Sequence, residues 1–522
     1  MAGWTLALLI GTLAWRTLRY ALVFPMWGDE GMLAVNFHGR GFLELLGPLD
    51  YGQVAPPGFL WLELAASKLL GFSEPGLRLV PYLAAMAAVL LFWQACRKLL
   101  DRRSSLMALA VFAASFYPVR YAAEVKPYSL DLLLALAIIL AAWAVYERPA
   151  LTGRWSAFAV LAAVSAWLSY PSIFISGGAC VWLLAYASGD GRTRRWGAVL
   201  TVGLLIGASF LAMYVLSGSG QRAAAPASYW SAGFPPMSEP WLIPLWALDV
   251  HTGMMLAYPN GGHSGGSAVS FLLAVAGGLV LWRSRRPVLM LLLSPLPLMF
   301  LAAALGKYPY GASARVAQHI APAACILIGT GIVCTLRKVL GGRRAIRALP
   351  IAVLPFLAVV LGGLVRDIAR PYHSRADVQA RHAIERTRRE SEPDGRWLVF
   401  ASREPDARVP FYSKYVGMGG RLHFQILSQA PAAVLWGPDP AAMGSVGYEA
   451  GATWMIAYGN RVFEPDRDDL DTYLKELAEV LGEPGVVERY DLPDGEWIEV
   501  VGFGQRSIRR SSPPAPAEGT PP

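Results

Sequence analysis

The sequence predicts a polytopic α-helical membrane protein of about eleven spans, followed by a soluble C-terminal α/β domain. Three observations predict it. Of 522 residues, 55% are hydrophobic and 16% charged, and the mean hydropathy is +0.39, too apolar for a soluble chain of this size. Apolar runs recur from the N-terminus to about Val365. Each is roughly 16 to 22 residues, long enough to cross a hydrocarbon core of about 30 Å as a helix that satisfies its own backbone groups. From Arg366 the chain becomes charged and mixed, with apolar residues in strand-length segments.

Taken in order, the runs fall at about 4–23, 77–96, 104–118, 127–146, 155–170, 172–187, 197–217, 268–282, 288–305, 316–336 and 348–365. With the N-terminus cytoplasmic, every second loop is inside, and those loops read "RKLLDRR", "ERPALTGR", "SGDGRTRR", "RSRRP" and "RKVLGGRRAIR". Each carries two or more basic residues, as the positive-inside rule requires. The same rule accounts for the net charge of +9 without a nucleic-acid partner, because the basic residues cluster between apolar runs. The stretch "PPGFLWLELAASKLLGF", 56–72, contains Glu63 and Lys68, and counting it as a span would invert every later loop. It is therefore expected to lie amphipathically in the outer interface.

The first run has no "AxA"-like cleavage site and is expected to be a retained helix. Its Arg16 and Arg19, three apart, share one face and are expected to point into the bundle toward a buried acid. Cys96, Cys180, Cys325 and Cys334 lie in or at the ends of apolar runs without CxxC spacing, which suggests packing rather than a disulfide framework or a zinc site. The domains expected are 1–365 in the membrane, 366–508 as an extracytoplasmic α/β layer, and a Pro-rich disordered tail, 509–522. The setting is the inner (plasma) membrane. In the α/β layer, strand-like segments ("RWLVFAS", "AAVLWG", "ATWMIAYG", "VVERYDL", "EWIEVVGFG") alternate with helical ones ("RADVQARHAIERTRRES", "DDLDTYLKELAEVLG"). No catalytic constellation is visible there.

Chemistry concentrates in three outer segments. "MWGDEG" sets Asp29 and Glu30 side by side after the first run; alone, they are equally explained by solvation or by helix capping. In "RYAAEVKPYSLDLL", Lys126 precedes Pro127, a good opening residue for a helix, so a cation is expected at the positive end of a helix dipole. The alternative is a snorkelling lysine. Asp131, one turn on, could pair with a buried arginine. In "GKYPYGASARVAQHIAP", Arg315 is expected in the first turn of the next span, where electrostatics disfavours it unless an anion sits nearby. Its fork suits a phosphate bidentately. Carboxylates, cations and a membrane interface together suggest a lipid phosphate as substrate. An acid such as Asp29 acting as general base is worth about 10²- to 10⁴-fold in rate, and a charge pair at about 4 Å roughly 4 kcal/mol at an effective dielectric near 20.

In order along the chain, "MWGDEG" (26–31), "QVAPPGFLWLE" (53–63), "YAAEVKPYSL" (121–130) and "YPYGASAR" (308–315) are similar to motifs of one family. Over about residues 1–365 the chain resembles the GT-C superfamily of integral-membrane glycosyltransferases, particularly the glycosyltransferase 39-like group that includes dolichyl-phosphate-mannose protein mannosyltransferases and the lipid A aminoarabinose transferase. The resemblance implies a sugar moved from a polyprenyl-phosphate donor to a glycan, lipid or protein acceptor on the outer side, with inversion. It makes Asp29 the base and Glu30 its neighbour, gives the donor phosphate to Lys126 and Arg315, and lines the site with Gln53, Pro56, Pro57, Glu124, Tyr128, Tyr308 and Tyr310. A histidine that often precedes the proline pair is Ala55 here. Some relatives hold a divalent cation near the acidic pair, for which Glu30 and His263 are candidates. The rival classes are a secondary transporter or lipid flippase, which would carry repeats and midplane polar residues not seen here, and an interaction protein with an outer sensor domain.

Overall fold

The computed structural model describes residues 1–186, 192–224, 230–261, 267–391, 395–400, 419–430, 433–436, 453–460, 467–492 and 495–503. The chain divides into two compact units, Met1–Phe24 with Met32–Pro371, and Pro25–Gly31 with Tyr372–Pro522. The division falls a little beyond the change of texture at Arg366, because the last apolar helix carries its charged end, Arg366 and Asp367, as part of the same rod. The expected tail, 509–522, and His263 lie outside the described residues.

The first unit is helical: α1 (Ala2–Ala21), α2 (Gly28–Ala34, straddling the two units), α3 (Pro57–Leu70), α4 (Glu74–Leu99), α5 (Arg102–Ala113), α6 (Phe116–Arg120), α7 (Tyr128–Glu147), α8 (Thr152–Leu168), α9 (Ser172–Tyr186), α10 (Arg192–Met213), α11 (Ser219–Ala224), α12 (Ile243–Thr252), α13 (Ala268–Ser284), α14 (Arg286–Leu293), α15 (Pro295–Ala304), α16 (Ala321–Leu340) and α17 (Gly342–Ala369). Six helical stretches among the described residues are long and apolar enough to cross a membrane: α4, α7, Trp196–Gln221, α14 continued into α15, Gln318–Leu340 and α17. A seventh results if α5 and the Phe116–Ala123 stretch, bent by 59°, are one span. That is fewer than eleven, for physical reasons. Helices α8, α9 and α13 have 17, 15 and 17 residues, about 22–26 Å at 1.5 Å per residue, short of a core of about 30 Å. In α1, Arg16 and Arg19 dilute an otherwise apolar run.

Small residues let the central helices approach closely. A Cβ added to Gly329 of α16 would collide with the Ala108 backbone of α5, and one added to Gly331 with the Leu273 carbonyl of α13, so these three helices pack backbone to backbone. Helix α1 is tied to α17 by a buried polar knot. Asp367 accepts from Trp15 Nε1 at 2.7 Å and from Arg19 Nη1 at 2.9 Å, which gives Arg19 the buried acid its placement requires. Arg16 turns instead to the Thr12 carbonyl, at 3.1 Å, and the Thr12 hydroxyl, with its guanidinium over the Phe112 ring.

The second unit holds a five-stranded mixed sheet in the order β2-β1-β3-β5-β4: β1 (Arg396–Phe400), β2 (Ala433–Trp436), β3 (Thr453–Asn460), β4 (Pro484–Asp491) and β5 (Glu496–Phe503). Strand β1 runs parallel to β2 and β3; β5 is antiparallel to β3 and β4, with Ile456 opposite Val500. Each quoted strand-like segment overlaps one of these strands. Alternation sends Trp397, Val399, Trp454, Ile456, Ile498 and Val500 to one face, where α18 (Arg375–Glu390) and α19 (Gly419–Gln429) pack. Leu398, Phe400, Met455, Ala457 and Val501 face α20 (Arg467–Leu481) on the other. Helix α18 opens with a reciprocal Ser374–Asp377 capping box, and Asp377 also pairs with Arg421 of α19 at 2.9 Å.

Candidate active site

Helix α2 is seven residues long and puts both acids in its first turn, where carboxylates meet unpaired N–H groups and the positive end of the dipole. Glu30 is buried and Asp29 half-buried, and both are engaged in polar or electrostatic contacts. The segment leading into them is held through Trp27, whose ring meets that of His373 edge-on at 6.3 Å within the same unit.

In the helical unit, the loop after α2 is organised by the buried Asn36. Its amide donates to the Met32 carbonyl at 2.9 Å, and its oxygen accepts from the Asp50 N–H at 2.7 Å. This draws 50–53 into a turn that puts Tyr51 in the left-handed region, φ 58°, a conformation costing a non-glycine residue about 1 kcal/mol. The turn delivers Gln53 into the interior. There its oxygen accepts from Lys126 Nζ at 2.8 Å, while Lys126 is only 5% exposed. Two motifs distant in sequence, "QVAPP" and "EVKPY", thus meet through one charge-assisted bond. Pro56 and Pro57 are buried at the start of α3, and Ala55 between them and Gln53 has both backbone groups occupied, its N–H by Gln221 Oε1 at 3.0 Å and its carbonyl by the Tyr170 hydroxyl at 3.0 Å.

Pro127 is the N-cap of α7 rather than a member of its first turn, so Lys126 stands just outside the helix. Arg315 is placed differently from expectation. It lies in a turn, separated from α16 by a 3-10 turn (Gln318–Ile320), because Gly311 and Ser313 keep the chain irregular after "YPYG". Its guanidinium rests over the Trp230 ring at 5.3 Å. Asp131 does not meet an arginine; it is buried beside Ser169.

Sequence reading passed over Arg120, although its spacing of four from Glu124 was a signal. Arg120 Nε binds the fully buried Glu124 at 2.5 Å. Both Arg120 and Arg315 lie within electrostatic reach of Tyr117 and Tyr121, and Glu124 of Tyr121. Tyr128 packs edge-on against Tyr121 at 4.8 Å. Arg120, Glu124, Arg315 and these tyrosines therefore form one polar neighbourhood, with two cations and one acid. Tyr308 and Tyr310 belong to a separate aromatic cluster: Tyr308 packs edge-on against Phe174, and Tyr310 on Trp246, Phe300 and His251.

A family model described as dolichyl-phosphate-mannose-protein mannosyltransferase matches residues 54–217. Among solved structures the chain is similar to ArnT from Cupriavidus metallidurans bound to undecaprenyl phosphate, with a TM-score of 0.51 at 15% identity, covering 98% of this chain and 100% of that one. It is similar also to the Archaeoglobus fulgidus oligosaccharyltransferase in complex with Zn and sulfate, with a TM-score of 0.51 at 13% identity, covering 94% and 72%. The chain shares its fold with these solved structures, and the mannosyltransferase model matches part of it. No curated sequence matches it.

Within this fold, the matched stretch 54–217 includes the proline pair, the Arg120–Glu124 pair and Lys126, and leaves out the acidic pair and Arg315. Among the described residues, no three His, Cys, Asp or Glu side chains converge in a way that could hold a metal ion.

Proposed function

We propose that the protein is a membrane glycosyltransferase that moves a sugar from a polyprenyl-phosphate donor to an acceptor hydroxyl or amine on the outer side of the membrane. The observation that carries the reading is the buried Lys126, fixed on Gln53 at the opening of α7, in a GT-C fold similar to that of a protein seen with undecaprenyl phosphate. A buried, positioned ammonium attracts an anion that comes within its reach. A lipid phosphate supplies one.

In this reading Lys126 and Arg315 take the donor phosphate, with Arg120 a further cation beside Arg315. Asp29 is the base and Glu30 its neighbour. The acceptor's proton passes to the Asp29 carboxylate as its oxygen or nitrogen bonds to the anomeric carbon. The anomeric C–O bond breaks with its electron pair remaining on the phosphate, so no general acid is needed and one displacement inverts the centre. The domain assignment is a transferase domain over 1–365 and an extracytoplasmic unit after it. The basic inner loops support that orientation, and α1, α8, α9 and α13 complete the span count as short or charged crossings.

The test is release of polyprenyl phosphate from polyprenyl-phosphate sugars by the purified protein in nanodiscs. Asp29→Asn should reduce release at least about 10²-fold while the protein stays monodisperse and still binds polyprenyl phosphate. Wild-type turnover in that variant would sink the assignment of the base.

A further inference from the structure

Apart from these residues, the first outer loop and α3 enclose a cavity of about 500 Å³, a volume suited to a small ligand. Phe37, His38, Arg40, Leu64, Lys68 and Phe72 line it. Two contacts fix the loop against α3: Trp61 Nε1 donates to the Phe42 carbonyl at 2.8 Å, and the Lys68 ammonium sits 4.9 Å over the Phe42 ring. Arg40 is braced by Asp50 at 2.7 Å and donates to the Pro48 carbonyl at 3.1 Å. The nearby Glu44 is engaged with the Gly41 N–H. Lys68, by contrast, has no carboxylate within ion-pair distance among the described residues. Lys68 is thus a cation of the cavity wall without a carboxylate at ion-pair distance, next to aromatic surface.

Apolar side chains extend from its edge. Leu69 and Leu43 are 83% and 79% exposed, and Leu70, Leu62 and Phe42 are exposed beside them. So much uncovered leucine around a cationic recess is costly in water and favourable against acyl chains. Helix α3, at 14 residues, is about 21 Å long and too short to span, which suits a helix lying in the interface.

We infer that this cavity binds the phosphodiester headgroup of an anionic glycerophospholipid, with Lys68 and Arg40 on the phosphate and the acyl chains along Leu43, Leu69 and Leu70. The inference rests on α3 lying in the interface and does not depend on the transfer chemistry. Purified full-length protein would be offered mixed phosphatidylglycerol and phosphatidylcholine, and the lipid it retains counted by native mass spectrometry. The wild type should prefer phosphatidylglycerol. Lys68→Gln should cut that preference about fivefold, Lys68→Arg should keep it, and Arg40→Gln provides a second variant should Lys68→Gln prove unstable. Equal retention of the two lipids, or an unchanged preference in Lys68→Gln and Arg40→Gln, would overturn the site. Displacement of the lipid by inorganic phosphate at matched concentration would show a free-anion site and overturn the lipid assignment. Because the readout is binding, it can fail while Asp29-dependent release succeeds, and the reverse.

Discussion

Two segments of the helical unit read almost alike in sequence, each pairing a cation with tyrosines ahead of an apolar run, yet they fold in opposite ways. In "EVKPY" the cation is buried and rigid: Lys126 is bound to Gln53, directly before Pro127 caps α7. In "YPYGASAR" the cation is half-buried on an irregular turn, with the Arg315 guanidinium over the Trp230 ring. If both cations take the donor phosphate as proposed, the difference is that between a preorganised ligand and an adjustable one. A preorganised donor spends little ordering entropy on binding, whereas a cation on an irregular turn can shift with its ligand.

The sharpest way to break the comparison is to remove each cation and measure polyprenyl-phosphate binding by titration. Lys126→Ala should weaken binding by roughly 10- to 100-fold, the range for a buried hydrogen bond to a charged group. Arg315→Ala should cost about tenfold or less, as a less desolvated charge does. If Arg315 proves the costlier loss, the order of the two segments is reversed; if both variants bind normally, the clamp fails. A smaller contrast comes from swaps that keep the charge. Lys126→Arg should be damaging because a guanidinium does not fit a packed ammonium site against Gln53, while Arg315→Lys should be the milder of the two, about threefold, since the charge is kept on a half-buried, irregular turn.

How much of this was legible in advance differs by element, for physical reasons. The strands were readable because alternation along Trp397–Phe400 and Trp454–Ala457 maps one residue onto each face, a period-2 signal that survives without tertiary context. Helix α19 was missed, since "RLHFQILSQ" is short and lies among residues with little pattern. The eleven apolar runs exceed the six or seven helices long and apolar enough to cross among the described residues, because hydropathy marks an apolar stretch but not the 15 to 17 residues over which it stays helical. Asp29, Glu30, Lys126 and Arg315 could be singled out by chemical type against an apolar background. What the sequence could not convey was pairing. That Gln53 would be the partner of Lys126, 73 positions away, that Asp131 would face Ser169, and that Arg120 would join Arg315 around Tyr121 all depend on how helices are stacked.

The smallest effect expected lies in the aromatic cluster under the "YPYG" turn and tests whether that segment is only packing. His251 Nδ1 stands 2.6 Å from the Ala247 carbonyl, so Nδ1 carries the proton, and Nε2 is left to accept from the Tyr310 hydroxyl at a long 3.5 Å. Burial holds the His251 pKa below its ordinary value against the opposing pull of that carbonyl, and pushes the Tyr310 phenol up to about 12, which keeps it a donor through neutral pH. Protonating His251 would put a hydrogen on Nε2 and remove the acceptor. Because the folded pKa is depressed, the unfolded chain takes up the proton first, so this contribution to stability is complete above about pH 6.5 and is lost as the pH falls. Thermal unfolding between pH 8 and pH 5 should therefore show a midpoint that declines with acid in the wild type and declines less in His251→Asn, with polyprenyl-phosphate affinity at pH 8 unchanged by the substitution. An affinity loss in His251→Asn at pH 8 would mean that this cluster reaches the donor after all, and the two outer segments would then have to be read as one binding surface.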